Sequence, residues 1–216
     1  MSAHWNDVYA TRGRDELSWF EPEPTVSLEL LEVLGVTCAD SVLDVGAGES
    51  LLVDRLAEQG FTDLTVLDLS ARALADITSR PGLESLHIVE ADVTAWEPLR
   101  QYDVWHDRAV LHFVEPARVI RYAETLHKAL APNGKVVIGV FAPDGPESCS
   151  GLAVTRYDAS DIVRLLGENF DIVSERRVIH LTPWARASRS SGWRPFETDV
   201  HHNYLPCGGR VIEKLL

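Results

Sequence analysis

Two hydrophobic patterns alternate along residues 1–183. Short apolar runs, typical of buried strands, are separated by segments in which apolar residues recur every three or four positions, as on one face of a helix. The apolar runs predict strands over residues 41–45, 64–70, 86–93, 101–110, 135–142 and 170–181. The periodic segments predict helices over residues 22–34, 50–60, 71–80, 115–134 and 158–168. Asp158 or Ser160 is the expected N-cap of the last of these helices.

This alternation predicts an α/β fold, in which a doubly wound, mostly parallel sheet is covered by helices on both faces. A chain of 216 residues is long enough for one such domain with small additions. In open sheets of this kind, ligands bind outside the carboxyl ends of the strands, where the strand order switches. The strand ends are therefore the places to look for a site.

The first strand leads into a glycine loop, "SVLDVGAGES", residues 41–50. A dinucleotide-binding loop of the form G-x-G-x-x-G needs a third glycine, but that position is Leu51. Instead, Asp44 stands two residues before Gly46, with Gly48 following. A carboxylate there repels a diphosphate and attracts an ammonium group, which argues against a dehydrogenase.

The next two strands also end in acids, Asp68 in "LTVLDLS" and Asp92 in "EADV". A carboxylate such as Asp68 can accept both ribose hydroxyls. Asp92 can accept from an exocyclic adenine amine while the N–H of Val93 donates to a ring nitrogen, or Asp92 can simply cap the turn that follows. The ligand then contains an adenosine and a cationic group without phosphate, and S-adenosylmethionine has these properties.

The ordered segments "VLDVGAGES", "VLDLS", "EADVTAWEP" and "LAPNGKVVI" resemble the class I S-adenosylmethionine-dependent methyltransferases. The segments "YDVWHDRAVLHF", "FAPDGPESCSGLAVTRYDA" and "HLTPW" resemble a bacterial group related to the citrate-synthase lysine methyltransferase. The resemblance implies a Rossmann-like class I methyltransferase fold, S-adenosylmethionine as cofactor and S-adenosylhomocysteine as product. It implies methyl transfer by in-line displacement to an amine or protein-lysine acceptor.

Candidate site residues follow from the acids, the glycine loop and this resemblance. The candidates for cofactor binding are Asp44, Gly46, Gly48, Asp68, Leu69, Asp92, Val93, Asp107, Tyr9 and Trp5. The candidates for catalysis, on the acceptor side of the fourth strand, are His106, Arg108 and His112. The candidates for substrate binding are Trp19, Phe20, Arg156 and Tyr157.

Each candidate also has a plainer interpretation. The aromatic residues of the N-terminal cap segment, residues 1–34, either wall the pocket or only pack this segment onto the sheet. The histidines either take a proton from the nucleophile or are buried structural residues. Arg108 either binds a substrate carboxylate or pairs with an acid of the core.

Other functions remain open at this point. Arg108 or Arg156 can anchor the anion of a small acid, which fits an O- or S-methyltransferase of a small acid or thiol. A protein that binds S-adenosylmethionine without turnover is a further alternative.

The net charge of the chain limits the classes of binding partner that we expect. The chain carries 20 Lys and Arg against 33 Asp and Glu, a net charge of −13, so nucleic-acid binding is not expected. A small molecule or a protein is the expected partner, and the oligomeric state is open. We expect no membrane span, no signal peptide and no metal site, and the three cysteines fit a reduced, cytoplasmic chain.

Residues 184–216 depart from this pattern. They carry five of the basic and three of the acidic residues, a net charge of +2, and the apolar periodicity is lost. The related group continues after "HLTPW" with a pattern like G-x-x-Q-x-F-x-x-x-x-F, a last antiparallel strand, which this chain lacks. We hypothesise that the sequence from about Ala185 is frameshifted, in nature or in the gene record; the alternative is a true C-terminal extension. On the first reading, the sheet lacks a strand between its fifth and sixth strands, and Trp184, Trp193, His201 and His202 carry no function.

Overall fold

A computed structural model describes residues 1–178 and 213–215. Its helices are α1 Ser2–Thr11, α2 Thr25–Val33, α3 Leu52–Glu58, α4 Ala71–Thr78, α5 Val119–Ala129 and α6 Ala159–Leu166. Its strands are β1 Val42–Val45, β2 Leu64–Asp68, β3 His87–Glu90, β4 Tyr102–Arg108, β5 Leu130–Phe141, β6 Ser148–Cys149, β7 Leu152–Ala153, β8 Arg177–Val178 and β9 Glu213–Leu215.

The main sheet has seven strands in the order β3-β2-β1-β4-β5-β9-β8, and its described strand pairs are all parallel. The order runs outward in opposite directions from β1 and β4, so the switch lies between these two strands. Asp44 and Val45 of β1 are there in register with His106 and Asp107 of β4. The expected doubly wound α/β fold is confirmed, with its crevice where the glycine loop leaves β1.

The sheet is buried on both faces, which explains the near-continuous apolar runs of its strands. One face packs against α5 and α6 through residues such as Trp105, Tyr122 and Ile162. The other face packs against α2, α3 and α4, with Val104 and Val66 among its buried residues. Neighbouring residues of β4 therefore point into different layers.

Proline chemistry shortens one predicted helix. The segment 115–134 forms a short 3-10 turn, Pro116–Arg118, and then α5, but the chain is already extended at Leu130. Pro132 disfavours a helical conformation for the residue before it and has no N–H to donate, so the helix ends before the Pro132-Asn133-Gly134 turn. The cap of α6 is Asp158, whose side chain accepts from the N–H of Asp161, and not Ser160.

The N-terminal segment lies over the glycine loop. Its helix α1, which the periodicity did not predict, packs on α4, and Ser70 Oγ lies 2.7 Å from Asn6 Oδ1. A small apolar cluster of Val8, Tyr9, Leu17 and Ala73, flanked by Trp5, Trp19 and Phe20, fixes the segment in place.

A three-residue strand, β9, lies between β5 and β8 and runs parallel to both. The position between the fifth and sixth strands is therefore filled by residues 213–215, which corrects the expectation of a missing strand there. The segment 184–216 thus contributes to the same sheet. The predictions on Trp184, Trp193, His201 and His202 fall outside the described residues.

Candidate active site

A cavity of about 500 Å³ opens at the carboxyl ends of β1, β2 and β4. Ligand pockets for small molecules and cofactors typically measure roughly 300–1,000 Å³. The floor of the cavity is the loop after β1, and its cover is formed by α1 and the segment from Leu17 to Glu21. The strand ends at which a site was predicted thus border a cavity of suitable size.

The glycine loop has a conformation that only glycine meets easily. Gly46 and Gly48 have φ angles of 68° and 52°, in the left-handed region. A Cβ on Gly46 would lie 1.9 Å from Val110 Cγ2, and one on Gly48 would lie 2.4 Å from Tyr9 Oη. These two positions must lack a side chain for the loop to pass between β4 and α1.

Asp44 is 2% exposed and is held by a chain of buried polar groups. Its Oδ1 lies 2.7 Å from His106 Nδ1, and His106 Nε2 lies 2.9 Å from Ser27 Oγ. Because a carboxylate only accepts hydrogen bonds, Nδ1 is the donor in the first contact. Asp44 Oδ2 has no partner within the described part of the chain and belongs to a residue that lines the cavity.

His106 lines the cavity, and its acceptor-side role stays a prediction. Both of its ring nitrogens are engaged, and the ring is 2% exposed, so it has no free nitrogen for an incoming nucleophile. His106 connects α2 to Asp44 instead.

Asp68 is buried at the end of β2 and lines the cavity. Its Oδ2 accepts from Gly48 N at 2.8 Å and its Oδ1 from Ser70 N at 2.8 Å. Burial raises its pKa to about 6, against the lowering effect of these N–H donors. Each oxygen retains a second lone pair for a ligand hydroxyl. The backbone of Leu69, the next residue along the cavity wall, accepts from Ser2 Oγ.

Asp92 and Val93 line the neighbouring part of the cavity. Asp92 caps the following turn, since its Oδ1 accepts from the backbone N and the hydroxyl of Thr94, and it pairs with Arg118 at 2.8 Å. Burial opposes ionisation of Asp92, but these contacts outweigh it and hold its pKa below the usual value. The capping interpretation is therefore correct, and Asp92 also remains at the cavity wall.

Four aromatic residues of the N-terminal segment, Trp5, Tyr9, Trp19 and Phe20, all line the cavity. The ring of Trp5 lies 5.8 Å from that of Trp19 and 6.2 Å from that of Tyr9. Burial, together with the nearby charge of Asp68, raises the pKa of Tyr9 well above its usual value, so its hydroxyl stays protonated. These four residues thus add uncharged aromatic faces to the cover.

The remaining acceptor-side candidates, Arg108 and His112, also line the cavity. Arg108 pairs with Glu21 at 2.8 Å, an acid of the cover and not of the core. His112 is 1% exposed, and neither of its ring nitrogens has a partner within residues 1–178 and 213–215. Burial lowers its pKa to about 3, so its imidazole is neutral near pH 7.

Asp107 is not among the residues that line the cavity, and its assignment to the cofactor stays a prediction. It is 0% exposed and accepts from Val110 N at 2.8 Å, Leu111 N at 3.1 Å and Tyr122 Oη at 2.6 Å. Along a strand, side chains alternate between faces, so Asp107 shares the face of Trp105 toward α5 and not that of His106. Its role is to anchor the turn after β4.

Arg156 and Tyr157 are not among the cavity-lining residues either, and their assignment to the substrate stays a prediction. Arg156 donates to Gly145 O at 3.2 Å and pairs with Glu147 at 3.2 Å. Both contacts hold Arg156 against the loop that precedes it. Tyr157 is buried in the core layer beneath α5 and α6. The β6–β7 hairpin, which the sequence did not reveal, turns the chain before these residues and leaves Ser148 and Cys149 at the cavity instead.

Several cavity residues escaped the sequence reasoning. They are Glu21, Arg118, Glu49, Phe113 and Phe141. Ser27, which contacts His106 but is not among the cavity-lining residues, was missed as well. Their partners are far away in sequence, and no local spacing signals such contacts. Glu21 was the easiest of them to predict from the sequence, because it directly follows the aromatic pair Trp19-Phe20.

The chain resembles known methyltransferases. Residues 43–136, less than half of the chain, match a family model described as "Methyltransferase domain". Over 132 residues the chain is 27% identical to EEF1A lysine methyltransferase 2 of Danio rerio, a match that covers 56% of this chain and 56% of that relative. The chain thus spans about half the length of this curated relative.

Two solved structures share the fold. A structure from work on the conversion of a disulfide bond into a thioacetal group during echinomycin biosynthesis matches with a TM-score of 0.62 at 24% identity, covering 81% of this chain and 80% of that chain. The 1,6-didemethyltoxoflavin-N1-methyltransferase of Burkholderia thailandensis, with bound 1,6-didemethyltoxoflavin and S-adenosylhomocysteine, matches with a TM-score of 0.55 at 24% identity, covering 76% and 70%. The Rossmann-like methyltransferase fold expected from the sequence is confirmed.

Proposed function

We propose that this chain, which carries a methyltransferase domain, binds S-adenosylmethionine in the cavity and transfers its methyl group to an acceptor. The observation that carries the proposal is the arrangement of three acids, Asp44, Asp68 and Asp92, at successive strand ends around one cavity with a glycine-loop floor. The match of residues 43–136 to a methyltransferase domain supports it independently.

The residues present fit this cofactor. The unpartnered Oδ2 of Asp44 suits the ammonium of the methionine part, directly or through a water. The free lone pairs of Asp68 suit two ribose hydroxyls, and Asp92 with Val93 suits the adenine edge. The aromatic cover offers electron-rich faces to a sulfonium.

The cofactor, when bound, supplies a methyl group on a sulfonium, which is a good leaving group. The chain then has to hold and align the reactants and exclude water. Asp44 holds the ammonium of the cofactor and Asp68 holds its ribose hydroxyls. The glycine loop determines how closely the cofactor approaches the ends of the strands. The aromatic side chains of the N-terminal segment, Trp5, Tyr9, Trp19 and Phe20, form an apolar part of the cavity wall. No proton transfer is needed at the cofactor.

Two classes of acceptor have support. The similarity to a lysine methyltransferase of Danio rerio favours a protein-lysine or other amine acceptor. The aromatic residues of the N-terminal segment at the cavity wall suit a small molecule as well, including the O–H or S–H acceptors of the alternative hypothesis. Both use the same cofactor site.

Transfer of a radiolabelled methyl group tests the proposed function. Purified protein is incubated with methyl-tritiated S-adenosylmethionine and, separately, a small-molecule extract and a protein extract of its source. The expected result is time-dependent label in one fraction that is absent with Asp68→Ala. Binding of the cofactor without label in either fraction would identify a non-catalytic binding protein, and no binding at all would contradict the proposal.

A further inference from the structure

The cover of the cavity is held together largely by its own side chains. Its apolar cluster consists of Val8, Tyr9 and Leu17 from the cover itself and Ala73 from α4. Among the described residues, neither of the two large apolar clusters that pack on the sheet includes a residue of the cover. A segment whose buried apolar side chains contact mainly one another can open locally while the sheet stays folded.

Polar contacts attach one side of the cover to α4. Ser70 Oγ, at the start of that helix, lies 2.7 Å from Asn6 Oδ1 of α1. Arg14 pairs with Asp76 at 2.7 Å, and these two side chains are 31% and 35% exposed. An ion pair with this degree of exposure is screened by water and contributes little to stability.

A better shielded ion pair attaches the cover to β4. The carboxylate of Glu21 lies 2.8 Å from the guanidinium of Arg108, and these side chains are only 17% and 15% exposed. Arg108 Nη1 also donates to Trp19 O at 3.4 Å, so one guanidinium holds two residues of the cover. Because burial reduces screening by water and salt, this pair should hold the cover more firmly than the pair with Asp76 does.

The pair also lies at the point where the cover joins the rest of the chain. Glu21 is the last residue of the cover, and residues 22–24 connect it to α2. Arg108 is the last residue of β4 and belongs to the central sheet. The pair therefore fixes the start of the cover to a strand of the domain core.

We propose that the cover is a lid and that the Glu21–Arg108 pair is the latch that keeps it closed over the cofactor. Asp44 and Asp68, beneath the cover, are both buried in the closed arrangement. On this account S-adenosylmethionine binds and leaves when the pair breaks and the cover moves aside. The inference rests on the proposed function, because it concerns entry to the same cofactor site. Glu21 and Arg108 are then positioning residues that act through the cover.

A latch has a kinetic signature that a direct contact with the cofactor lacks. Association needs the open cover, so its observed rate depends on the fraction of molecules in which the cover is open. Weakening the latch raises that fraction and speeds both association and dissociation. Loss of a direct contact speeds mainly dissociation, since changes at a binding surface act mostly on the dissociation rate.

Two measurements test the latch. Stopped-flow binding of S-adenosylhomocysteine gives both rates, and amide hydrogen exchange of α1 in the ligand-free protein reports opening of the cover. Glu21→Gln removes the charge of the latch but keeps its shape. The double variant Glu21→Arg with Arg108→Glu exchanges the two charges and restores the pair. Glu23→Gln is the matched control, because Glu23 pairs with Arg55 at 2.8 Å and is not among the cavity-lining residues.

We expect both rates, and the exchange of the α1 amides, to rise about ten-fold in Glu21→Gln, because removal of one partner leaves a largely buried charge uncompensated. The charge-exchanged double variant should recover most of the wild-type behaviour. Glu23→Gln should match the wild type in both measurements.

Faster dissociation with unchanged association would mean that Glu21 contacts the cofactor, and it would overturn the latch. Exchange of the α1 amides that is the same in Glu21→Gln and wild type would overturn it as well, as would a double variant without recovery. If Glu21→Gln does not fold, Glu21→Asp, which keeps the charge but shortens its reach, decides by the same measurements. A wild type that does not bind S-adenosylhomocysteine would contradict the proposed function, while the exchange of α1 would still test the latch.

Discussion

Asp44 shows how a single carboxylate is prepared for a ligand. One oxygen is fixed by His106, which is itself fixed by Ser27 of α2, so the second oxygen has a defined position at the cavity. Three elements, α2, β1 and β4, meet in this chain of contacts. The cost of burying an acid is acceptable if a cation completes the site.

Replacing Asp44 by Asn should weaken binding of S-adenosylhomocysteine by about 10- to 100-fold, since a hydrogen bond to a charged group contributes about 1.5–3 kcal/mol. Binding of 5′-methylthioadenosine, which lacks the ammonium, should change far less. Calorimetric titration of both ligands into wild type and variant measures the difference. An equal loss for both would mean that Asp44 supports the loop and not the ammonium.

A second prediction for single residues concerns the stability of variants in the glycine loop. Gly46→Ala should lower the free energy of unfolding by about 2–4 kcal/mol, because it adds a left-handed alanine and a clash with Val110. Gly35→Ala is the control: it has a similar φ of 63° but nothing within 4 Å of the added Cβ, so only about 1–2 kcal/mol should be lost. Urea unfolding of both variants measures this, and similar losses would contradict the role of Val110.

The sequence allowed the prediction of a cavity residue where an ionisable side chain stands at the end of a predicted strand. Asp44 and Asp68 stand at strand ends beside glycines, and both line the cavity. The prediction for Asp107 used its position at the strand end but not the alternation of side chains along the strand. Asp107 alternates with His106 and Arg108 and faces α5. The pairing of Glu21 with Arg108 was not predictable, because it depends on how the cover folds back.

At the scale of elements, Asp107 joins β4 to α5. Tyr122 of α5 donates to Asp107 at 2.6 Å, and Trp105 Nε1 donates to the Tyr122 hydroxyl at 3.2 Å. These buried contacts fix the turn that carries Val110 and His112 toward the cavity. The position of His112 thus depends on a carboxylate on the far side of the strand.

Titration of Asp107 should make the free energy of unfolding depend on pH. Burial raises its pKa to about 6, while an unfolded Asp titrates near 3.9, so between these values the folded state holds the extra proton. The free energy of unfolding contributed by this group therefore falls as the pH rises from about 4 to about 6. Wild type should lose about 2 kcal/mol relative to Asp107→Asn between pH 4.5 and 7.5.

Asp103→Asn is the control on the same strand. Hydrogen bonds from Ser41 lower the pKa of Asp103, so its contribution changes only below about pH 4. Urea unfolding at both pH values compares the three proteins. A constant difference between wild type and Asp107→Asn would contradict a raised pKa.

Elements with a clear period were predictable, and elements made by irregular turns were not. The strands β1, β2 and β4 and the helices α3 and α4 lie where the apolar pattern placed them. The β6–β7 hairpin and α1 have no strong period, and their positions follow from packing on the rest of the chain. The positions of Arg156 and Tyr157 were not predictable for this reason.

At the scale of the whole molecule, the alternation of strands and helices was enough to predict the sheet and its crevice. The alternation did not predict the direction of the last strand, β9. β9 is parallel to its neighbours, whereas the resemblance implied an antiparallel strand there. None of the described helices is long and apolar enough to cross a membrane.

We keep the proposal that the sequence from about Ala185 is frameshifted, because the charge changes sign there and the apolar period ends. Resequencing of the genomic locus and of close strains should reveal a second frame that restores an antiparallel last strand. A chain with the restored frame should unfold at higher urea concentration than the present one. An unambiguous in-frame reading across the strains would contradict the proposal and favour a true extension.

The central claim is that the cavity binds S-adenosylmethionine through the acids at its strand ends, and isothermal titration tests it most directly. Wild type and Asp68→Ala are titrated with S-adenosylmethionine and S-adenosylhomocysteine, and their folding is compared by circular dichroism. We predict one site per chain in the wild type and at least a ten-fold weaker affinity in the variant, because two ribose hydroxyls lose a charged acceptor. A folded wild type that binds neither ligand, or a folded Asp68→Ala that binds both as well as the wild type, would contradict the account.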